Sequence, residues 1–156
     1  MNLAELIQPE RVRCGIETSS KKRALERLSE LLASIAPDIT AEEIFESLIG
    51  RERLGSTGLG HGVAIPHGRL ENLRQPAAAF ITLKRGVDFD APDNQPVDLL
   101  FALLVPAEST QDHLDLLAQL AQMFSDAQFR QQLRECSNNE DLQQRLAHWR
   151  PHRASA

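Results

Sequence analysis

Six of the eight glycines in this chain of 156 residues fall between Gly50 and Gly68. Backbone freedom is therefore concentrated in one stretch, Gly55 to Arg69, where tight turns, positive φ angles or the close approach of a ligand are expected. Within it, Gly62-Val63-Ala64-Ile65 reads as a short buried strand. Pro66 ends that strand, because it lacks a ladder donor and fixes its own φ. His67 is then expected at a strand end, between a rigid proline and a glycine that cannot crowd it. One imidazole nitrogen can be held by a carbonyl while the other faces outward, the setting of a nucleophilic histidine.

The rest of the chain supplies a frame for that loop. Leu3 to Ile7 reads as a short helix and Arg11 to Ile16 as a half-buried strand. The Thr18-Ser19-Ser20 cluster offers caps for a helix that buries Ala24, Leu25, Leu28, Leu31, Leu32 and Ile35 and is closed by Pro37. Thr40-Ala41-Glu42-Glu43 has the form of a capping box for a second helix with Ile44, Phe45, Leu48 and Ile49 inside. That helix ends near Gly50 or runs on to Arg53, and either end leaves Arg51 just ahead of the glycine loop. Ala77 to Leu83 and Val97 to Val105 read as buried strands, with Gly86, Pro92, Asp93 and Asn94 marking connections and Val87-Asp88-Phe89 an edge segment. Ser109 to Asp112 caps a helix expected to bury Leu114, Leu117, Leu120, Ala121 and Phe124. Helical runs over 127–135 and 139–149 follow. Helices before and after strands with unequal connections predict an α/β fold, a mixed β-sheet of about five strands flanked by helices on both faces. The expectation is one domain over 1–156, with its core at about 3–146 and a frayed basic tail at 149–156.

Composition removes several classes of function. A formal net charge of -5 disfavours nucleic acid as a partner, since phosphate-backbone binding needs clustered Lys and Arg. No apolar run approaches the roughly 20 residues of a membrane span, and the first residues lack a basic n-region and long h-region. The expectation is a cytoplasmic protein without direct membrane insertion. Cys14 and Cys136 share no zinc or redox spacing and are expected to be free thiols. His61 and His67 sit six apart on a glycine loop, which is no metal-ligand signature, and neither a metal nor a cofactor is expected.

The run Arg51-Glu52-Arg53-Leu54-Gly55-Ser56-Thr57-Gly58-Leu59-Gly60, followed by Gly62-Val63-Ala64-Ile65-Pro66-His67-Gly68, resembles the active-site signature of the mannitol/fructose-type IIA proteins of the bacterial phosphotransferase system. Asp93 to Pro106, and His113-Leu114 opening a helix, resemble in particular the nitrogen-regulatory branch, and the similarity spans roughly Leu3 to Leu146. The resemblance implies the IIA sandwich fold and phosphorylation of His67 through Nε2, with Arg51 and His113 as orienting and stabilising neighbours. It also implies an HPr/NPr-like phosphocarrier as donor, and sensor kinases, potassium transporters or nitrogen regulators as protein targets.

The residue chemistry agrees with that implication. Phosphoryl transfer to histidine needs a neutral accessible nitrogen, a fixed tautomer and donors for the phosphoryl oxygens. His67 offers the nitrogen, the glycine loop offers backbone N–H groups, and Arg51 offers a planar charged fork. His113, in a first helical turn, is kept neutral by the positive end of the dipole. The hydroxyls of Ser56 and Thr57 read as turn formers, and His61 is left without a role. An apolar rim of Leu54, Leu59 and Leu70 is expected for a docking donor. Two other readings stay open on the residues alone: a sugar-specific IIA component feeding a separate membrane transporter, and an interaction module that is never phosphorylated.

Overall fold

The computed structural model describes residues 3–108 and 111–150. Fourteen segments follow one another, with short 3-10 turns at Pro9–Arg11 and Ala33–Ile35. The helices are α1 (Leu3–Leu6), α2 (Lys21–Leu32), α3 (Ala41–Glu52), α4 (Gln111–Phe124), α5 (Ala127–Glu135) and α6 (Asn139–His148). The strands are β1 (Val12–Ile16), β2 (Gly58–Gly60), β3 (Val63–Ala64), β4 (His67–Leu70), β5 (Ala77–Val87) and β6 (Val97–Pro106).

The sheet is mixed, in the order β1-β5-β6-β3-β2, with β4 also paired to β6. β5 and β6 are antiparallel, while β3 and β4 both run parallel to β6. Val63 pairs with Leu99 and His67 with Leu103, so the same register holds on both sides of Ile65-Pro66. β3 and β4 are thus one strand line interrupted at the proline. Pro66 does not end the strand, because its carbonyl still accepts from the Leu103 amide at 2.9 Å. His67 consequently opens β4 instead of closing a strand.

Side-chain parity divides the interior into two cores. Val63 and Ile65 of the interrupted line join Leu99, Phe101, Leu103 and Val105 of β6 beneath α1, α4, α5 and α6. Ala64, Leu100, Ala102 and Leu104 face the other way, onto α2 and α3. With helices on both faces β6 is almost wholly buried, which explains its unbroken apolar run. Each fully buried leucine in these layers contributes about 1.5–3 kcal/mol through burial.

Local signals account for most helix starts. Ser20 accepts from the Arg23 amide, Asp126 from Phe129 and Asn138 from Asp141, each a side-chain cap. Thr40 likewise accepts from Glu43. The Glu43 carboxylate, however, accepts from the Thr40 hydroxyl instead of its amide, so only half of the box forms. The Ser109 cap lies outside the described residues.

Several expectations need correction. Gly50 is interior to α3, which runs to Glu52, and Phe45 and Ile49 are only half-buried. Gly86 lies inside β5. Phe89 is fully buried in the α2/α3 core instead of belonging to an edge segment. In α4 the buried positions are His113, Leu116, Leu120, Met123 and Phe124, leaving Leu114 and Ala121 exposed. Trp149, expected in the frayed tail, packs on the α4–α6 core with its ring 6.2 Å from that of Phe129; residues 151–156 lie outside the described set. Cys14 and Cys136 are free, and the fold brings them together: Cys14 Sγ donates to the Cys136 carbonyl at 3.1 Å.

Candidate functional site

β4 and β6 are parallel, and the chain leaves β6 at Pro106 to enter α4 at Gln111. α4 therefore begins over the end of the sheet where β4 lies, and its third residue is His113. His67 has the parity of Val63 and Ile65, so its side chain stands on the face that α4 covers. The two imidazoles meet with ring centroids 5.2 Å apart and planes inclined by 58°. Both are nearly enclosed, His67 with 9 % and His113 with 6 % of its surface exposed.

His67 Nδ1 lies 2.9 Å from the Ile65 carbonyl. A carbonyl only accepts, so Nδ1 carries the proton and, in the neutral ring, Nε2 is left with a lone pair. Burial above all, with the Arg51 and Arg69 charges behind it, holds the His67 pKa below its ordinary value, against opposition from the Ile65 carbonyl and the Glu52 carboxylate. His113 is likewise held down, first by burial, then by His67, Arg69 and Arg51. Burial and cationic neighbours thus disfavour the charged form of His113, in the same sense as the helix dipole expected from its first-turn position. Its Nδ1 is buried without a hydrogen-bond partner among the described residues. Such an atom costs free energy unless something arrives to bond it.

α3 approaches the same sheet end from the other face. Its Ser47 donates to the Arg69 carbonyl at 3.0 Å, and a Cβ on Gly68 would overlap Ser47 Oγ. Only glycine permits that contact. One turn beyond Ser47, Arg51 donates from Nη1 to the Gly55 carbonyl at 2.8 Å and so ties the helix end to the loop. The next residue, Glu52, turns inward. Its buried carboxylate pairs with Lys21 Nζ at 3.0 Å and accepts from the amide and hydroxyl of Thr57. The Lys21 ammonium also sits 4.5 Å from the centroid of the Phe89 ring. Ser56 Oγ accepts from Gly58 and donates to the Phe89 carbonyl, so both loop hydroxyls serve the turn.

Four amides of the glycine loop are engaged within the protein: Gly55 donates to the Glu52 carbonyl, Thr57 to the Glu52 carboxylate, Gly58 to Ser56 and His61 to Asp93. Those four are not offered to a ligand at His67. His61, the histidine without an assigned role, has φ 57° and is exposed. Its carbonyl accepts from Arg134, which also forms a two-pronged pair with Asp98. His61 is thus a pinned corner at the far end of β3 from His67.

One charged residue at the site was not singled out from the sequence. Arg69, two residues after His67 on β4, shares its face by strand alternation, and its charge bears on both histidines. The i, i+2 spacing within a strand was the signal that could have found it. The expected apolar rim is also altered. Leu54 and Leu59 are exposed, at 84 % and 41 %, but Leu70 turns into the α2/α3 core, and Leu114 at 58 % stands beside His113 instead.

The arrangement is a neutral imidazole with a fixed tautomer, a second imidazole with an unmet nitrogen, and two guanidinium groups. It suits attack on an electrophilic, anionic centre whose oxygens need donors. Comparison with known proteins agrees with that chemistry. The family model described as "Phosphoenolpyruvate-dependent sugar phosphotransferase system, EIIA 2" matches residues 5–149. The nitrogen regulatory protein of Pseudomonas aeruginosa is 46% identical over 144 residues, 92% of this chain and 94% of that one. Its counterpart in Escherichia coli K12 is 43% identical over 148 residues, 92% of this chain and 88% of that one. Among solved structures, the nitrogen regulatory protein IIA-Ntr of Neisseria meningitidis superposes with a TM-score of 0.86 at 42% identity, covering 92% of this chain and 97% of that one. The mannitol IIA protein of Escherichia coli, at 20% identity and a TM-score of 0.73 over 89% of this chain and 97% of that one, shares the fold.

Proposed function

Because the chain belongs to the phosphoenolpyruvate-dependent sugar phosphotransferase system EIIA 2 family, in its nitrogen-regulatory branch, we propose that it is a phosphoryl carrier whose phosphorylation state is read by other proteins. His67 accepts the phosphoryl group from a small HPr/NPr-like phosphohistidine carrier. As the donor's N–P bond breaks, the His67 Nε2–P bond forms. The donor imidazole keeps the electron pair of the broken bond, and the proton of His67 stays on Nδ1, donated to the Ile65 carbonyl. The observation that carries this reading is the Nδ1···Ile65 contact of 2.9 Å, which leaves Nε2 as the nucleophilic atom of a ring kept neutral by burial.

Arg51 stabilises the transferring oxygens, and His113, through its unmet buried nitrogen, orients them. The exposed leucines 54, 59 and 114 offer the donor an apolar contact. Phosphorylation then adds roughly two negative charges between those leucines and the two arginines, enough to change which protein binds there. The targets in this reading are nitrogen- and potassium-control proteins such as sensor kinases and potassium transporters, met in the cytoplasm.

The test is intact-protein mass after incubation with phosphoenolpyruvate, the first enzyme of the cascade and the phosphocarrier. A single phosphate-sized gain that is acid-labile, alkali-stable and absent from His67→Ala is expected. An unchanged mass for the wild-type protein would turn the reading toward an interaction module without phosphorylation.

A further inference from the structure

Beyond His67, Arg51 and His113, we propose that Arg69 is a phosphoryl-binding residue: its guanidinium closes on the oxygens at His67 Nε2 from the β4 side and completes, with Arg51, a two-cation clamp. This rests on the phosphoryl-carrier reading and deepens it.

Three observations lead there. First, Arg69 is exposed and, among the described residues, makes no hydrogen bond or ion pair with its side chain, while its backbone carbonyl is fixed by Ser47. Arg134, beside the other end of the same strand line, is by contrast held by the Asp98 carboxylate and the His61 carbonyl. Second, strand alternation sets Arg69 about 7 Å along β4 from His67 on the same face, within reach of a folded-back guanidinium. Its field acts on both imidazoles and on His113 ahead of that of Arg51. Third, the alternatives are engaged. Four loop amides donate within the protein, and Arg51 already holds the Gly55 carbonyl with Nη1. A phosphoryl dianion arriving at Nε2 therefore finds one fork partly committed and one free.

The transfer itself is unchanged: the Nε2–P bond forms, the donor's bond to phosphorus breaks, and Arg69 neither takes nor gives a proton. Its contribution grows as oxygen charge gathers within its reach.

The experiment uses the full chain as wild type, Arg69→Lys and Arg69→Ala, with two donors, the phosphocarrier protein and phosphoramidate, a small donor that needs no docking surface. Arg69→Ala is expected to slow labelling of His67 by roughly tenfold or more with both donors, the scale of one lost charge-assisted hydrogen bond. Arg69→Lys is expected to fall between, keeping the charge without the fork. In NMR titrations of the unphosphorylated proteins, the His67 and His113 midpoints are expected to rise in Arg69→Ala and stay near wild type in Arg69→Lys, a response that a merely structural surface residue would not give. Slowing with the protein donor alone would overturn the proposal and make Arg69 a docking residue. Equal labelling of all three proteins with unmoved midpoints would overturn it alone, whereas wild-type protein labelled by neither donor would sink it together with the carrier reading.

Discussion

Two polar clusters flank the glycine loop, one fully satisfied and the other not. In the first, the Glu52 carboxylate is met by Lys21, by the Thr57 amide and by the Thr57 hydroxyl, and Lys21 is covered by the Phe89 ring. Every charge there has its partner inside the protein. In the second, among the described residues, His113 keeps a buried nitrogen with nothing bonded to it and His67 has an unpartnered Nε2. The Arg69 side chain has no hydrogen-bond or ion-pair partner among the described residues. One cluster fixes the loop and the other waits for something to arrive. Glu52 and Arg51, adjacent on α3, tie both to the loop, Glu52 through Thr57 and Arg51 through the Gly55 carbonyl.

That difference is broken most severely at Glu52. Glu52→Ala leaves the Lys21 ammonium in a site that is mostly enclosed and removes the acceptor of two Thr57 donors. Removing one partner of a buried pair is expected to cost about 3–5 kcal/mol, read as a fall in the urea midpoint at unchanged slope. The double variant Glu52→Gln with Lys21→Met removes both charges, keeps an acceptor for Thr57, and is expected to recover most of that loss. A Glu52→Ala protein as stable as wild type would show that this cluster is no anchor.

Gly68 gives a smaller effect in the same terms, because it is the seam where α3 meets β4. In Gly68→Ala the new Cβ would overlap Ser47 Oγ and stand 3.0 Å from the Ser47 Cβ and 3.2 Å from its backbone, and Ser47→Ala removes only the first of these. Rotation of the hydroxyl relieves the first contact but breaks its bond to Arg69, and the other two move only with the helix. A loss of about 1–3 kcal/mol is expected. Adding Ser47→Ala should return part of it, since the nearest of the three contacts is then gone. The pair of variants measures how tightly the Arg51 end of α3 is held against the strand that bears His67.

Much of this arrangement was legible before any coordinates. The helix starts at Ser20 and Thr40 and the buried runs of β5 and β6 follow from caps and hydrophobicity, which act over a few residues. That a carbonyl would hold one nitrogen of His67 was legible from its place after Pro66, but which nitrogen came only from the resemblance. What failed depended on docking. α4 carries leucines at 114, 116, 117 and 120, nearly all the way round, so only contact with the sheet decides that Leu116 faces inward and Leu114 outward. Phe89 looked like an edge residue because the lysine that covers it lies 68 positions away. The amides of Thr57 and His61 looked free because their acceptors, the Glu52 and Asp93 carboxylates, are side chains whose direction no local rule fixes. Arg69 was overlooked because glycine and proline drew attention to the loop, while its significance lies in alternation along a strand that Pro66 was expected to end.

The smallest effect, and the one that most directly separates the clusters, is the pH dependence of stability. His67 and His113 both have pKa values below the ordinary 6.5 in the fold, mainly through burial. Between those depressed values and about 6.5 the unfolded chain binds protons that the native rings refuse, so stability must fall as pH drops through that window and level off above it. Across about pH 5 to 8 the carboxylates contribute little slope, and the imidazoles dominate it. His113→Gln should flatten the curve of urea midpoint against pH, because the group whose burial and cationic neighbours oppose protonation is gone. Arg69→Ala should flatten it in part, by relieving both rings of one nearby positive charge, while Glu52→Gln should steepen it by removing the carboxylate that favours the His67 imidazolium. Curves of equal slope for all four proteins would mean that the histidine pair carries no unmet electrostatic cost, and the contrast between the two clusters would fail at its weaker side.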